Sequence, residues 1–552
     1  MEMGLYHVRS HHVDMERISV NHSTDKVAMA KIPVSGLKIF LRIVLAGLSA
    51  GLLFLSLPNP DQGWLSWIAL VPLLIACRGL RPFQACLIGL FCGLLSNALI
   101  FSWILHVPGF RYYHFGLAAL YLALYPASWC GGLALLGRYR LTSLIVAPSL
   151  WVCLDFIKAH VGFLALPWAS LAFTQHDNLP LLQMMTVTGE YGVTFLLVMV
   201  NLAMYDLIVN YAWRRALAVL TLILCIWTWG AFELTSSMPP PNILATVIQP
   251  SILLTERQTV SGRLASLQRL ERLTRDAARL KPAFIVWPET ALRGFPNDPQ
   301  QTERVIQMVK AIHIPLILGT SEYEKFSLPA DPGTHTIKLA TRSYNSAYLV
   351  MPDGTLSIPY RKRRLVPFAE YLPGQPYLNW PKWVVHKSFN ILPGNQPGYV
   401  FPKRDLKIAL IICWENLFPD FIRAMAANHI NIIVQLTNDN HFGYSAAPRQ
   451  HNIASRFRAV ENRVPVVVAS NTGPSVIFDA WGRDVAMINR LFCADTLTGL
   501  ISRGSNGTCY TLYGDFFAYC CSLITLLWLY HVIRGDRFKP RENTSGKPDS
   551  DI

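Results

Sequence analysis

Ionisable residues are nearly missing from the long apolar runs of this 552-residue chain. Acidic ones are the scarcer kind, with 34 Asp and Glu against 49 Lys and Arg. Charged residues make up 15% and hydrophobic ones 52%, and the mean hydropathy is positive. That balance excludes an ordinary soluble protein of this size and indicates a membrane protein carrying a soluble domain. It also argues against a transporter, which would place ionisable residues or broken helices in mid-span. Metal-type cysteine spacing is missing too, and neither a metal nor a cofactor is expected. Of the eleven cysteines, Cys77, Cys86, Cys92, Cys130, Cys153, Cys225, Cys520 and Cys521 lie in apolar segments as packing residues. Cys413, Cys493 and Cys509 fall in the polar part, an odd number that leaves at least one free thiol; Cys493 and Cys509 are a candidate disulfide in an oxidising compartment. No charged, apolar and cleavage-site succession of a signal peptide opens the chain, so residues 1–37 read as a cytoplasmic tail and the apolar segment after them as a first anchor.

Apolar segments recur at about 38–57, 63–80, 84–105, 114–136, 142–162, 190–210 and 215–233, with an eighth at 515–533; each approaches the length of a bilayer crossing. Lys26, Lys31 and Lys38 precede the first. Arg78 and Arg81 follow the second, Arg138 and Arg140 the fourth, Arg214 and Arg215 the sixth, and Arg534 and Arg537 the last. The alternate loops 58–62 and 106–113 hold only Asp61 and Arg111. By the positive-inside rule the basic loops are cytoplasmic. The expected organisation is a membrane bundle of about seven spans at 38–237, an extracytoplasmic domain at 238–510, a final transmembrane helix at 511–534 and a cytoplasmic tail at 535–552. Much of the +15 net charge is then topology signal rather than nucleic-acid affinity. Residues 163–189, with Pro167-Trp168 and Pro180, are too polar and Pro-broken for a span and read as an interfacial loop. Asp155 and Lys158, three apart on one helical face, read as a structural pair.

From Asn242 onward strand-like runs (243–248, 283–287, 314–318, 345–350, 406–412, 430–436, 464–469, 475–478) alternate with helical segments such as 258–279 and 301–311, which indicates an α/β domain. Chemistry gathers at strand ends. The run Leu406-Lys-Ile-Ala-Leu-Ile-Ile leads straight into Cys413, Trp414, Glu415 and Asn416, just before a helix-like segment. Open α/β sheets place reactive groups at such a position, and nearby helix N–H groups would favour the thiolate. Phe284-Ile-Val-Trp-Pro delivers Glu289. Tyr360-Arg361 leads to Lys362 in a basic turn, and a Pro-broken segment then ends on Glu370. Alone, Cys413 is equally a buried packing residue, Glu289 a helix cap and Lys362 one solvated charge among Arg361, Arg363 and Arg364. Together, a thiol, a carboxylate base and an ammonium make a complete set for nucleophilic acyl transfer: the base takes the thiol proton and the cation stabilises the oxyanion.

The order Glu, Lys, Cys resembles the nitrilase superfamily of carbon–nitrogen hydrolases. The fuller strings resemble its membrane-embedded branch, the apolipoprotein N-acyltransferases: Trp-Pro-Glu-Thr at 287–290, Tyr-Asn-Ser at 344–346, Tyr-x-Lys-x-x-Leu-Val-Pro-Phe-x-Glu-Tyr-x-Pro at 360–373, Cys-x-Glu at 413–415, Asn-Asp at 438–439, Phe-Gly at 442–443, Pro448-x-Gln450-His451, Arg458-Ala459-x-Glu461 and Asn471-Thr-Gly473. The likeness runs from about residue 38 to 535. It implies an α-helical membrane bundle of about eight spans joined to an αββα sandwich. It implies Cys413 as nucleophile, Glu289 as general base and Lys362 as oxyanion stabiliser, with Glu370 and Glu415 holding Lys362 and the nucleophile turn beside Trp414. Arg458 and Glu461 read instead as a helix-surface pair. The chain departs from the family pattern at Trp414 (usually Tyr), at Asn440-His441, at Pro250-Ser251, and near Arg257, where a tryptophan is usual. These departures fall on lid and acyl-chain contacts.

The reaction implied moves a fatty acyl chain from a phospholipid, through a cysteine thioester, to the N-terminal α-amine of a diacylglyceryl-cysteine apolipoprotein at the bacterial inner membrane, with the catalytic domain on the periplasmic side. Phospholipid, diacylated apolipoprotein and membrane are the expected partners, and nucleic acid is not. A membrane-tethered amidase using water as acceptor, or a non-catalytic membrane scaffold, are the competing readings.

Overall fold

The computed structural model describes residues 34–136, 143–235, 239–328, 338–374, 377–381, 383–384, 391–505 and 507–537. Most of the N-terminal tail, the C-terminal tail, Arg138 and Arg140 lie outside them. Six described helices are long and apolar enough to cross a membrane: Gly36–Leu55, Pro82–Ile100, Tyr112–Leu136, Glu190–Asn210, Trp213–Thr235 and Phe516–Arg534. The helix Ser143–His160 joins them, with Lys158 and Asp155 paired at 3.0 Å. The segment expected as a span at 63–80 is instead a 3-10 turn, Gly63–Trp67, and a short helix, Val71–Cys77, which restarts at Pro72. Buried Asn201 repairs that break: its side chain accepts from Leu70 N (2.8 Å) and donates to Ser66 O (2.9 Å). In an apolar surrounding each of those backbone groups would otherwise be costly. Helices Pro82–Ile100 and Tyr112–Leu136 approach so closely that a Cβ on Gly93 would stand 2.9 Å from Ala123 Cα, so the small residue is required there.

The C-terminal half is built on two sheets. One runs Asp495–Ile501, Ile243–Gln249, Phe284–Val286, Leu316–Leu328, Lys338–Val350, Tyr360–Arg361; the other runs Asp484–Ile488, Ser475–Phe478, Val466–Ser470, Ile432–Thr437, Leu406–Ile412, Tyr399–Lys403. The centre of each is parallel, and both inner faces are apolar, so Val247, Val286 and Ile317 meet Ile408, Leu410 and Val434 between the sheets. Helices Val260–Ala278 and Pro299–Ile312 cover one outer face, and Pro419–Ala426 and Ala447–Asn462 the other. This is the expected αββα sandwich. Every expected strand run overlaps a strand, with 283–287, 314–318, 430–436 and 464–469 reaching one or two residues beyond it. The hairpin Leu316–Leu328 with Lys338–Val350 extends well past the apolar runs that signalled it, into polar residues such as Glu322 and Arg342. Edge strands such as Asp484–Ile488, half-exposed and short of apolar runs, were not foreseen.

The second outer layer is shared with the bundle. Residues 163–189 form turns at Gly162–Leu164 and Leu171–Gln175 and short helices Leu179–Leu182 and Met185–Thr188, packed beneath Ala447–Asn462. Trp168 donates to Gln450 (3.1 Å) and stacks on His451 at 5.4 Å, Phe173 meets Phe457 edge-on, and Arg456 bonds Asp177 and His176 O. Arg458 and Glu461 are not a helix-surface pair. Both are buried, and the Arg458 guanidinium bonds Glu461 (2.9 Å) and Glu190 (2.8 Å), the first residue of a bundle helix. A cation enclosed between two layers needs carboxylates from both. Further contacts, Gln450 to Pro58 O, Trp103 with Phe442 and Trp481 to Glu233 O, place one set of helix ends against the two-sheet domain. Arg78, Arg81, Arg214, Arg215 and Arg534 stand at or beyond the other ends.

Candidate active site

Three turns converge where the two sheets end. The first follows Phe284–Val286. Trp287 is anchored by its N–H to Thr274 Oγ1 (2.8 Å), and Thr290 takes a left-handed φ of 48°. The turn lies so near the next strand that a Cβ on Gly319 would stand 2.4 Å from Pro288 O and 2.7 Å from Glu289 Cα. Glu289 is thereby driven inward to 6% exposure, its Oε1 accepting from Asn345 Nδ2 at 2.6 Å. Burial pushes its carboxyl above the ordinary range, with Lys362 opposing and Glu370 adding to the rise.

The second turn follows Tyr360–Arg361. Of the basic run, Arg361 turns to Glu322 (2.6 Å) and Arg364 to Asp420 (3.2 Å), while Lys362 alone is enclosed, at 1% exposure. Its Nζ lies 3.0 Å from Glu370 and 4.0 Å from Glu289. Burial works to remove its proton, but the Glu370 and Glu289 carboxylates outweigh that and hold it firmly charged. Glu370 is fixed in turn by Val366 N at 2.8 Å.

The third turn carries Cys413, in a left-handed conformation (φ 55°) between strand Leu406–Ile412 and the 3-10 turn Cys413–Leu417. A non-glycine residue costs energy there and holds only if its surroundings enforce it. Glu415, fully buried, does so. Its Oε2 accepts from Ile412 N and the Tyr360 hydroxyl, both at 2.7 Å, and its Oε1 from Arg363 N (2.7 Å) and Arg364 N (3.0 Å). One carboxylate thus ties the thiol turn on one sheet to the lysine turn on the other. Trp414 adds to the tie through its N–H to Arg364 O and its edge contact with Phe418. Gln435 donates to Cys413 O at 3.1 Å.

The expectation that helix N–H groups would favour the thiolate is overturned. Burial, then the Glu289 carboxylate, push the Cys413 thiol well above its ordinary value, with Lys362 pulling the other way. The thiol rests protonated, beside a Glu289 carboxyl that burial has made more basic than usual. Sequence reasoning quoted the Tyr344-Asn345-Ser346 string without giving Asn345 a place; it orients Glu289 and also reaches Glu370 at 3.4 Å. It missed the Asp439–His451 pair at 3.1 Å, whose carboxylate also bears on Cys413. Cys493 and Cys509, a candidate disulfide, are both free.

Residues 244–507 match the carbon-nitrogen hydrolase family, and residues 49–203 match the apolipoprotein N-acyltransferase N-terminal domain. The chain is 33% identical over 499 residues to the apolipoprotein N-acyltransferase of Geobacter metallireducens, covering 87% of this chain and 92% of that one. It is 26% identical to that of Chlorobaculum tepidum over 528 residues, covering 88% and 94%. Among solved structures it is similar to an amidase from Nesterenkonia sp. AN1, at 16% identity and a TM-score of 0.33, covering 47% of this chain and 92% of that one. With both halves matched by family models and the joint between them built as one packed layer, the chain is a multi-pass membrane acyltransferase that belongs to the apolipoprotein N-acyltransferase family.

Proposed function

We propose that the enzyme acylates lipoproteins in two steps at the outer face of the bacterial inner membrane. In the first, Glu289 takes the Cys413 proton and the sulfur attacks an ester carbonyl of a phospholipid. The tetrahedral oxyanion faces the Lys362 ammonium. Its collapse breaks the C–O bond, and the departing glycerol oxygen recovers the proton from Glu289 as lysophospholipid leaves. In the second, the α-amine of a diacylglyceryl-cysteine attacks the thioester carbonyl. Glu289 takes the amine proton and returns it to sulfur as the C–S bond breaks and the amide is made. The observation that carries this reading is the enclosed Glu289–Lys362–Glu370 cluster acting on a protonated thiol.

The bundle supports a lipid donor. A cavity between its helices is lined by Leu53, Ile100, Leu122, Leu154 and Trp168, and the same Trp168 stacks on His451, partner of Asp439. Ser96, Asn97, Asp155 and Lys158 line it too, so the space is mixed, and what it offers an acyl chain is the apolar wall that these leucines and Ile100 form. The test is the intact mass of the full-length protein after incubation with phospholipid. A fatty-acyl adduct is expected on the wild type and absent in Cys413→Ser, which loses little packing and still inserts. An adduct that water clears as fast as a lipopeptide amine would favour the amidase reading.

The arginines at the helix ends remote from the two-sheet domain support this orientation. Helix Trp213–Thr235, 23 residues or about 35 Å long, separates Arg214 and Arg215 from the first strand, enough to cross the hydrocarbon core. Reporters fused after Arg215 are expected to read cytoplasm and those at Pro240 periplasm. A cytoplasmic signal at Pro240 would put the site on the wrong leaflet.

A further inference from the structure

Arg257, in the short helix Leu254–Gln258, is one charged group at this site that the two-step chemistry leaves unused. Its Nη1 donates to Thr290 Oγ1 at 2.6 Å, beside the general base, and the same hydroxyl receives Asn438 Nδ2 at 3.3 Å. Its Nε and Nη2 are buried without a hydrogen-bond partner. The acids around it are engaged elsewhere: Glu256 by Arg269 (3.1 Å) and Ser266, Glu289 by Asn345, and Asp439 by His451. Burial pulls the guanidinium down to about 10, against Glu289 and Glu256, so it remains charged at neutral pH. The neighbouring imidazole of His441 is held below its ordinary value by burial and by Arg257, so it adds no second cation there.

Nε–H and Nη2–H form the side-on fork of a guanidinium, the edge that matches two oxygens of a phosphate. A buried charged donor pair with nothing to bond is costly unless a ligand completes it. In a glycerophospholipid the phosphate lies within one glycerol unit of the ester that Cys413 would attack. The acceptor offers no such anion, and its α-amine would be repelled by the same cation. We propose that the Nε–Nη2 edge of Arg257 binds the phosphodiester of the acyl donor and so selects phosphate-bearing esters in the first half-reaction, an inference that rests on the two-step reading above. Because the fork meets the phosphodiester itself, it selects for phosphate and not for the headgroup beyond it.

The test follows Cys413 acylation by mass in the full-length enzyme, with phosphatidylglycerol or with diacylglycerol carrying the same chains. Arg257→Met is expected to slow acylation from phosphatidylglycerol by roughly 10- to 100-fold, the range for losing a charge-assisted pair. Acylation from diacylglycerol and the later amine chase are expected to stay as in the wild type. Arg257→Lys, which keeps charge without the fork, should fall between, and this guards against a folding defect. An equal loss with both donors would overturn the proposal and assign Arg257 to supporting Glu289 through Thr290; no loss with either would overturn it outright. Inorganic phosphate is expected to leave wild-type acylation from diacylglycerol unchanged. If it blocks the wild type with both donors while Arg257→Met escapes, the fork serves free phosphate and the donor assignment falls. A wild type that forms no adduct from either donor brings down the two-step reading and this proposal with it.

Discussion

Glu289→Gln is expected to abolish thioester formation from phospholipid, lowering it on the order of 10²- to 10⁴-fold, the usual contribution of a positioned general base. The amide is close in shape to the carboxylate, so the bond to Asn345 Nδ2 can survive through the Gln carbonyl and the fold has little reason to change. What is lost is the acceptor for a thiol that burial keeps protonated. The pH profile separates this role from a structural one. Glu289 must be ionised to act, and burial sets its carboxyl above the ordinary 4.5. Wild-type acylation therefore falls as pH drops through that raised value, earlier than an unperturbed carboxylate would allow. In Glu289→Gln that acid limb disappears. The negative charge that helped raise the Cys413 thiol is also gone, so the residual rate should climb with pH as thiolate forms unaided. Thioester formation is followed with phospholipid alone, then chased with a lipopeptide bearing a free α-amine. A variant that acylates normally and fails only in the chase would assign Glu289 to the amine instead.

Legibility in the sequence followed solvent exposure. The strands that deliver Glu289 and Cys413 are apolar runs because both faces are covered, and the chemistry sits where each run stops. The helix Ala447–Asn462 gave no such signal. Sheet and bundle enclose it from both sides, so nearly every position is buried and no polar face marks its period. Its contents, Gln450, His451, Arg456, Arg458 and Glu461, are polar because each is bonded across a layer boundary, and Arg458 with Glu461 resembled a surface pair until Glu190 was placed beside them. The same limit hid the break at residues 68–70, whose repair comes from Asn201, 131 positions along the chain from Leu70. The thiol's protonation state was misjudged for a related reason. Local sequence announces a turn and its N–H groups, but burial, and the Glu289 charge that the other sheet contributes, decide the matter.

Lys362→Met is expected to slow both half-reactions, because an oxyanion forms once in each. Loss of one oxyanion donor typically costs on the order of 10²–10³ in rate. The enclosure of Lys362 gives the substitution a second consequence. Its ammonium stands 3.0 Å from Glu370 and 4.0 Å from Glu289, and both carboxylates lose that ion-pair partner when it goes. Buried Glu289 then keeps the burial and the Glu370 repulsion that raise its carboxyl and loses the Lys362 charge that opposed them, so it ionises with more difficulty. The acid limb of the acylation profile should accordingly move to higher pH, the reverse of what Glu289→Gln does. Lys362→Arg keeps the charge but brings a planar fork into a space closed to 1% exposure, and it too should be strongly impaired. Breaking a buried ion pair can destabilise by about 3–5 kcal/mol, so thermal melting of each variant accompanies the kinetics. A folded Lys362→Met that acylates and transfers at wild-type rates would reduce Lys362 to a structural partner of Glu370. The stabilising cation would then have to come from another residue.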